Sequence, residues 1–221
     1  MTRTDNQVDA PSTTAADPAA LAARIHRMLA GRDRVIIGIA GAPGAGKSTL
    51  AERVVAALGP DAALVAMDGF HLAQRVLDDR GLAAVKGAPE TFDAAGYLAL
   101  LARLGSPTAS GETVYAPEFR RDIEEAIAGA VPVPAAVRVV VTEGNYLLLD
   151  TPPWNRARSL ITEIWFLDTP ERLRVDRLVQ RHIEFGRSPA AALDRAVHGS
   201  DGRNAELVNA TRSGAQLILR P

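Results

Sequence analysis

The feature of this sequence best suited to chemistry is a glycine-rich octapeptide, GAPGAGKS, at residues 41–48. Its glycines allow successive backbone N–H groups to converge on phosphate oxygens, as in the loop pattern G-x-x-x-x-G-K-S. The lysine of this pattern reaches the outer phosphates, and the serine hydroxyl can bind Mg²⁺. The sequence therefore predicts an ATP·Mg²⁺ site. Its predicted nucleotide-binding residues are Gly41, Ala42, Pro43, Gly44, Ala45, Gly46, Lys47, Ser48 and Thr49.

Two carboxylates follow apolar runs that have the character of buried strands. Glu143 comes directly after one run and precedes a glycine, so its side chain should emerge near Ser48 and help to bind Mg²⁺. Asp68 follows another run, where a carboxylate could accept a proton from an attacking hydroxyl group. The alternatives are a solvated loop position for Glu143 and a helix cap or turn for Asp68. We predict that Lys47, Asp68 and Glu143 are catalytic.

These groups need a framework of strands and helices, which the apolar patterns supply. Short β-branched runs predict strands at 34–40, 62–67, 137–141, 163–167 and 216–219. Helical spacing and end signals predict helices at 17–31, 47–58, 93–104, 168–183, 189–197 and 204–210. This alternation predicts an α/β fold, a three-layer doubly wound parallel sheet of the P-loop NTPase type with a helical lid. We expect residues 1–16 to be a disordered leader and residues 17–221 a single domain.

The composition excludes several classes of site. The chain of 221 residues has no cysteine, which excludes disulfides, thiolate metal sites and cysteine nucleophiles. The formal charge of −1 gives no overall attraction to nucleic acid or to a membrane surface. There is neither an apolar signal core nor a run long enough to span a bilayer, so we expect a cytoplasmic protein.

Four segments together resemble the uridine kinase, phosphoribulokinase and bacterial pantothenate kinase family. They are the loop at 41–48, DGFH at 68–71, KGAPETFD at 86–93 and EGNY at 143–146. The resemblance spans residue 34 to the C-terminus and is nearest to the branch described as nucleoside/nucleotide kinase-like or fructose-transport kinase-like. It implies that Asp68 is the catalytic base and Glu143 its acidic partner near the metal. It also implies that residues 115–121 line the acceptor pocket, although this segment lacks the histidine of the uridine kinase pattern.

The family resemblance also guides the prediction of the residues that bind adenine and the acceptor. By analogy with the family's C-terminal segment, Asn204, Asn209 and Arg212 are expected to contact adenine. The predicted acceptor-binding residues are Asp68, His71, Lys86, Tyr115, Arg121 and Tyr146. Lys86 is equally compatible with an acceptor or phosphate contact and with an ordinary loop position, and core packing is the alternative for the tyrosines. His71 is expected to donate or accept hydrogen bonds rather than bind a metal, because no second histidine or carboxylate cluster lies at ligand spacing.

Arginines dominate the predicted helix after Asp168. Spacing by three and four places Arg174, Arg177 and Arg181 on a common face. In small-molecule kinases an arginine-bearing lid neutralises transition-state charge, and we predict this catalytic role for Arg177 and Arg181. A solvated basic face is the alternative.

The function expected from these features is ATP-dependent phosphoryl transfer to a hydroxyl group of a small metabolite, either a nucleoside, pantothenate or a sugar. A GTP-binding switch would need an Asn-Lys-x-Asp element, which the chain lacks because its only lysines are Lys47 and Lys86. A P-loop ATPase of a transport or regulatory assembly remains the alternative. A homodimer is left open.

Overall fold

The protein is described by a computed structural model that covers residues 11–105 and 111–221. Its six-stranded sheet is built from β1 (Ser12–Ala15), β2 (Val35–Ala40), β3 (Ala62–Ala66), β6 (Val139–Gly144), β7 (Glu163–Leu167) and β8 (Leu217–Arg220). The strand order is β1-β8-β7-β2-β6-β3, and every neighbouring pair is parallel. The predicted α/β class with a doubly wound parallel sheet is confirmed.

Helices cover both faces of this sheet. The helices of the described residues are α1 (Pro18–Leu29), α2 (Lys47–Leu58), α3 (Gln74–Asp79), α4 (Ala94–Gly105), α5 (Ala157–Leu160), α6 (Glu171–Glu184), α7 (Pro189–Val197) and α8 (Ser200–Asn209). One core cluster joins the apolar sides of α1 and α2 to one face of the sheet, and a second joins α4, α5 and α8 to the other. Strand β2 is buried along its whole length because it lies between these clusters. The result is the predicted three-layer arrangement.

A hairpin of β4 (Val114–Arg120) and β5 (Glu125–Val133) lies outside the main sheet, and the sequence did not predict it. The two strands are antiparallel, with a register shift between Ala116 and Glu118. Pro117 lies inside one strand, and most of the other is exposed, so neither run shows the apolar alternation of a half-buried strand.

The N-terminal segment departs from the expectation of a disordered leader. Ser12–Ala15 pairs in parallel with β8 along the edge of the sheet, and residues 1–10 lie outside the described residues. All four residues of this strand are exposed, so no buried side chain marks it in the sequence. The strand forms because its backbone N–H and C=O groups make hydrogen bonds to the free edge of β8. The local sequence by itself does not favour a strand there.

The carboxyl ends of the parallel strands position the chemistry. Strand β2 leads into the glycine-rich loop, β3 into a 3₁₀ turn at Met67–Phe70 that carries Asp68, and β6 ends with Glu143 and Gly144. Along the described ranges, no helix has the length and apolar character needed to cross a bilayer.

Candidate active site

A cavity of about 790 Å³ opens at the carboxyl edge of the sheet. It is bordered by the glycine-rich loop, the turn after β3, the β4–β5 turn and the C-terminal half of α6 with α7 and α8. The predicted site residues that line it are Pro43, Gly44, Gly46, Lys47, Ser48, Thr49, Asp68, His71, Lys86, Arg121, Glu143, Arg177, Arg181 and Asn204. The fold therefore brings together residues separated by more than 150 positions in the chain.

The glycine-rich loop has a backbone that requires glycine. Gly44 and Gly46 have φ values of 80° and 96°, in the left-handed region. A Cβ atom on Gly44 would lie 2.6 Å from Leu178 Cγ and 2.7 Å from the Arg174 carbonyl oxygen. The loop is thus held closely against α6. Its conformation fits a phosphate cradle, in which no side chain stands between the amides and the ligand.

Lys47 lies at the start of α2 and is almost fully buried. Its Nζ donates to the Ala42 carbonyl at 3.2 Å and to Asn145 Oδ1 at 2.8 Å. Burial lowers the pKa of Lys47, and the nearby carboxylates of Glu143 and Asp68 act in the opposite direction. The two hydrogen bonds fix the position of the ammonium group beside the glycine-rich loop, where it can bind an anionic ligand.

Ser48 and Glu143 form the predicted metal-binding pair. Ser48 Oγ donates to Glu143 Oε1 at 3.0 Å. Burial raises the pKa of Glu143 to about 6, with a further contribution from the charge of Asp68. In the described part of the chain, no group of three or more His, Cys, Asp or Glu side chains is arranged to hold a metal ion by itself. These two oxygens fit Mg²⁺, which keeps several waters and takes further ligands from phosphate groups.

Asp68 lines the cavity just after the end of β3, and Arg121 Nη2 donates to its Oδ2 at 3.2 Å. His71 Nδ1 is 2.8 Å from the Asp68 carbonyl oxygen, which can only accept, so Nδ1 carries the proton. The imidazole lies between the rings of Phe92 and Phe119, with centroid distances of 4.0 and 4.7 Å. Burial lowers the pKa of His71, which favours a neutral imidazole.

Helix α6 is attached to the glycine-rich loop by its arginines. Arg174 is buried, is paired with Glu171 and donates to the Pro43 carbonyl at 3.3 Å. Arg177 Nη1 donates to the Ala45 carbonyl at 2.9 Å and also lines the cavity. Burial and the charge of Arg121 lower the pKa of Arg181. The N-terminal half of this helix is therefore fixed to the loop, and Arg177 and Arg181 are the arginines of the predicted face that reach the cavity.

Two tyrosines predicted to bind the acceptor do not line the cavity. Tyr115 is 60% exposed on β4. The register shift after Ala116 changes which face of the strand points inward, so that Phe119 reaches the site instead. Tyr146 is fully buried and donates to the Gly87 carbonyl, packing against Trp154. Tyr146 is therefore a core residue, which was the alternative to acceptor binding for this tyrosine.

The three predicted adenine contacts are divided between two places. Asn204 lines the cavity, and its Nδ2 donates to the Gly87 carbonyl at 3.1 Å. Asn209 and Arg212 border a separate, smaller cavity beside β1 and β8. Arg212 Nη2 is 2.9 Å from Asp168 Oδ2, at the end of β7.

Asn145 is the main residue that the sequence analysis overlooked. It accepts the Lys47 hydrogen bond from the loop after β6, within the EGNY segment that carried the family resemblance. A polar residue two positions after the predicted metal ligand is a signal that could have identified it. Phe119 lies within the 115–121 segment that the resemblance placed at the acceptor pocket, and it lines the cavity, but it was not named as a binding residue.

Comparison with known proteins gives a consistent assignment. Residues 36–218 match the model of the Phosphoribulokinase / Uridine kinase family. A candidate uridine kinase of Schizosaccharomyces pombe is 33% identical over 214 residues, which cover 93% of this chain and 88% of that protein. A pantothenate kinase of Streptomyces avermitilis is 30% identical over 131 residues, 57% of this chain and 39% of that protein.

One solved structure agrees with this chain in both fold and sequence. The crystal structure of a candidate fructose transport system kinase from Silicibacter sp. TM1040 has a TM-score of 0.81 and 40% identity. The match covers 91% of this chain and 98% of that one. Because the family model matches residues 36–218, which is most of the chain, this chain belongs to the phosphoribulokinase/uridine kinase family.

Proposed function

We propose that this protein is an ATP-dependent kinase that transfers the γ-phosphoryl group to a hydroxyl group of a small metabolite. One observation carries the proposal. The phosphate-binding loop and the Ser48–Glu143 pair share a single cavity with Asp68 and Arg121. Asp68 is close enough to raise the pKa of Glu143, so the proposed base and the proposed metal ligand lie within electrostatic range of one another.

The residues divide into a donor side and an acceptor side. On the donor side, the loop amides and Lys47 bind the phosphates, while Ser48 and Glu143 provide oxygen ligands for Mg²⁺. The bound ion would neutralise phosphate charge and orient the γ-phosphoryl group. Arg177 and Arg181 place guanidinium groups on the same cavity, where they stabilise negative charge during transfer.

On the acceptor side, Asp68 orients the attacking hydroxyl group and accepts its proton. Arg121 holds the carboxylate from the hairpin turn. The relatives support a hydroxyl-bearing acceptor, because they are named uridine kinase, pantothenate kinase and fructose transport system kinase. We therefore propose a nucleoside, pantothenate or a sugar as the acceptor.

An ATP-consumption screen tests this function. Uridine, pantothenate, ribulose 5-phosphate and D-fructose are each supplied with ATP and Mg²⁺, and ADP formation is compared with an acceptor-free reaction. We expect at least one acceptor to raise the rate tenfold or more, and Lys47→Met to abolish the increase. ATP hydrolysis that is equally fast without any acceptor would refute the kinase function and support the ATPase alternative.

A further inference from the structure

The second of the two lysines, Lys86, is engaged by other protein groups. Its Nζ donates to the Glu124 carbonyl oxygen at 2.7 Å and to Gln74 Oε1 at 3.2 Å. The ammonium group also lies 5.6 Å from the centre of the Phe119 ring, and its side chain is only 14% exposed. An ammonium has three N–H groups, so two of them are used within the protein.

The carbonyl that Lys86 binds belongs to a special position of the β4–β5 turn. Among the described residues, Glu124 is the only non-glycine with positive φ, at 54°. Such a conformation is unfavourable for a residue that carries a Cβ, and it persists only where surrounding contacts hold it. A charge-assisted hydrogen bond to this carbonyl is such a contact.

A second contact ties the same turn to the site. Glu125 Oε1 accepts from the Gln74 backbone N–H at 2.9 Å, at the start of α3. The turn itself carries Arg121, whose guanidinium binds Asp68, and the strand before it carries Phe119, which packs on His71. Arg121 and Phe119 thus extend from the hairpin to the acceptor side of the cavity. Their positions depend on the contacts that fix the turn.

We propose that Lys86 is a positioning residue that holds the β4–β5 turn over the acceptor side of the cavity, so that Arg121 reaches Asp68 and Phe119 packs on His71. This rests on the proposed kinase function. The alternative, direct contact of Lys86 with the acceptor, makes a different prediction for Glu125. Glu125 holds the same turn without lining the cavity, so it affects acceptor binding only if the placement of the turn matters.

Hydrogen–deuterium exchange tests the structural part of the proposal without any acceptor. Lys86→Met and Glu125→Ala are each expected to speed amide exchange in a peptide covering residues 117–127 by roughly ten- to a hundredfold, the range for loss of a charge-assisted hydrogen bond. The matched control is Arg75→Met, which removes an exposed cation from α3 and should leave this exchange unchanged. Unchanged exchange in Lys86→Met would overturn the proposal.

Kinetics with uridine, pantothenate and D-fructose test the functional part. For whichever of the three supports turnover, both variants should raise the KM of the acceptor at least tenfold and leave the KM of ATP within twofold. A variant that merely contains less folded protein would not raise the KM of the acceptor while leaving the KM of ATP unchanged. A raised acceptor KM in Lys86→Met with a normal value in Glu125→Ala would indicate direct contact and overturn the positioning role. Absence of turnover by the unchanged protein with these three acceptors and with ribulose 5-phosphate would count against the kinase function, while the exchange measurement would still decide the role of Lys86.

Discussion

Replacing Asp68 by Asn tests the acceptor half of the site most directly. The substitution keeps the size and shape of the side chain but removes the group that accepts the proton. A general base contributes about 10²- to 10⁴-fold to the rate, so kcat should fall by that factor. At about 1.4 kcal/mol per tenfold, this corresponds to roughly 3–5.5 kcal/mol of transition-state stabilisation.

The structure also predicts what Asp68→Asn leaves unchanged. The ion pair with Arg121 joins side chains that are 26% and 42% exposed, so its loss should cost only about 0–1 kcal/mol of folding free energy. Asp68 makes no hydrogen bond to the glycine-rich loop within the described residues, so the KM of ATP should change less than threefold. A large fall in kcat with near-normal stability and ATP binding is therefore the expected pattern.

The assay is ADP formation with the acceptor identified in the screen, together with the thermal midpoint of each protein. Asp122→Asn is the matched control, because it removes another carboxylate from the cavity wall, one paired with Arg120 instead. Its kcat should stay within threefold of the unchanged protein. If Asp68→Asn retained a kcat within fivefold of the unchanged protein, the assignment of Asp68 as the base would be wrong.

Three further predictions concern the loop, the metal pair and the core. Gly44→Ala should destabilise the protein by about 2–4 kcal/mol and weaken ATP binding, because the new Cβ would lie 2.6 Å from Leu178 Cγ at a φ of 80°; thermal unfolding and nucleotide titration measure both. In protein free of nucleotide and metal, the free energy of unfolding should fall by about 1 kcal/mol as the pH rises from 4.5 to 6, because the pKa of Glu143 is raised to about 6 and the folded state therefore holds its proton longer. In chemical denaturation, the free energy of unfolding of Glu143→Gln should not show this decrease with pH. Tyr97→Phe should cost about 1 kcal/mol, or roughly 2–4 °C in Tm, since it removes the buried hydroxyl 2.7 Å from Thr142 Oγ1; an unchanged Tm would show that this contact adds nothing.

Much of the main sheet could be predicted because its signals are local. The run at 34–40 is apolar and β-branched, and the structure has β2 at Val35–Ala40, buried throughout. The glycine-rich loop follows it, and the positive φ values of Gly44 and Gly46 agree with the reason that glycine is needed there. Strand identity, helix spacing and turn chemistry depend on neighbouring residues, so these elements could be read from the sequence.

The elements that were missed depend on partners distant in the chain. Strand β1 is exposed along its length and exists as a strand because β8 offers a free edge. The β4–β5 hairpin contains Pro117 and a register shift, and its turn is held by contacts from Lys86 and Gln74. Neither kind of contact leaves a periodic pattern in the sequence.

The candidate site divides in the same way. The sequence alone determined the phosphate-binding loop, the carboxylates Asp68 and Glu143, and their placement at the ends of parallel strands, because strand direction puts those ends on one edge. Only the tertiary structure decided that Tyr115 points away from the cavity and that Lys86 binds a backbone carbonyl. The direction of a side chain on a strand that was not predicted, and the hydrogen-bond partner of a buried ammonium group, are set by packing between segments far apart in the chain.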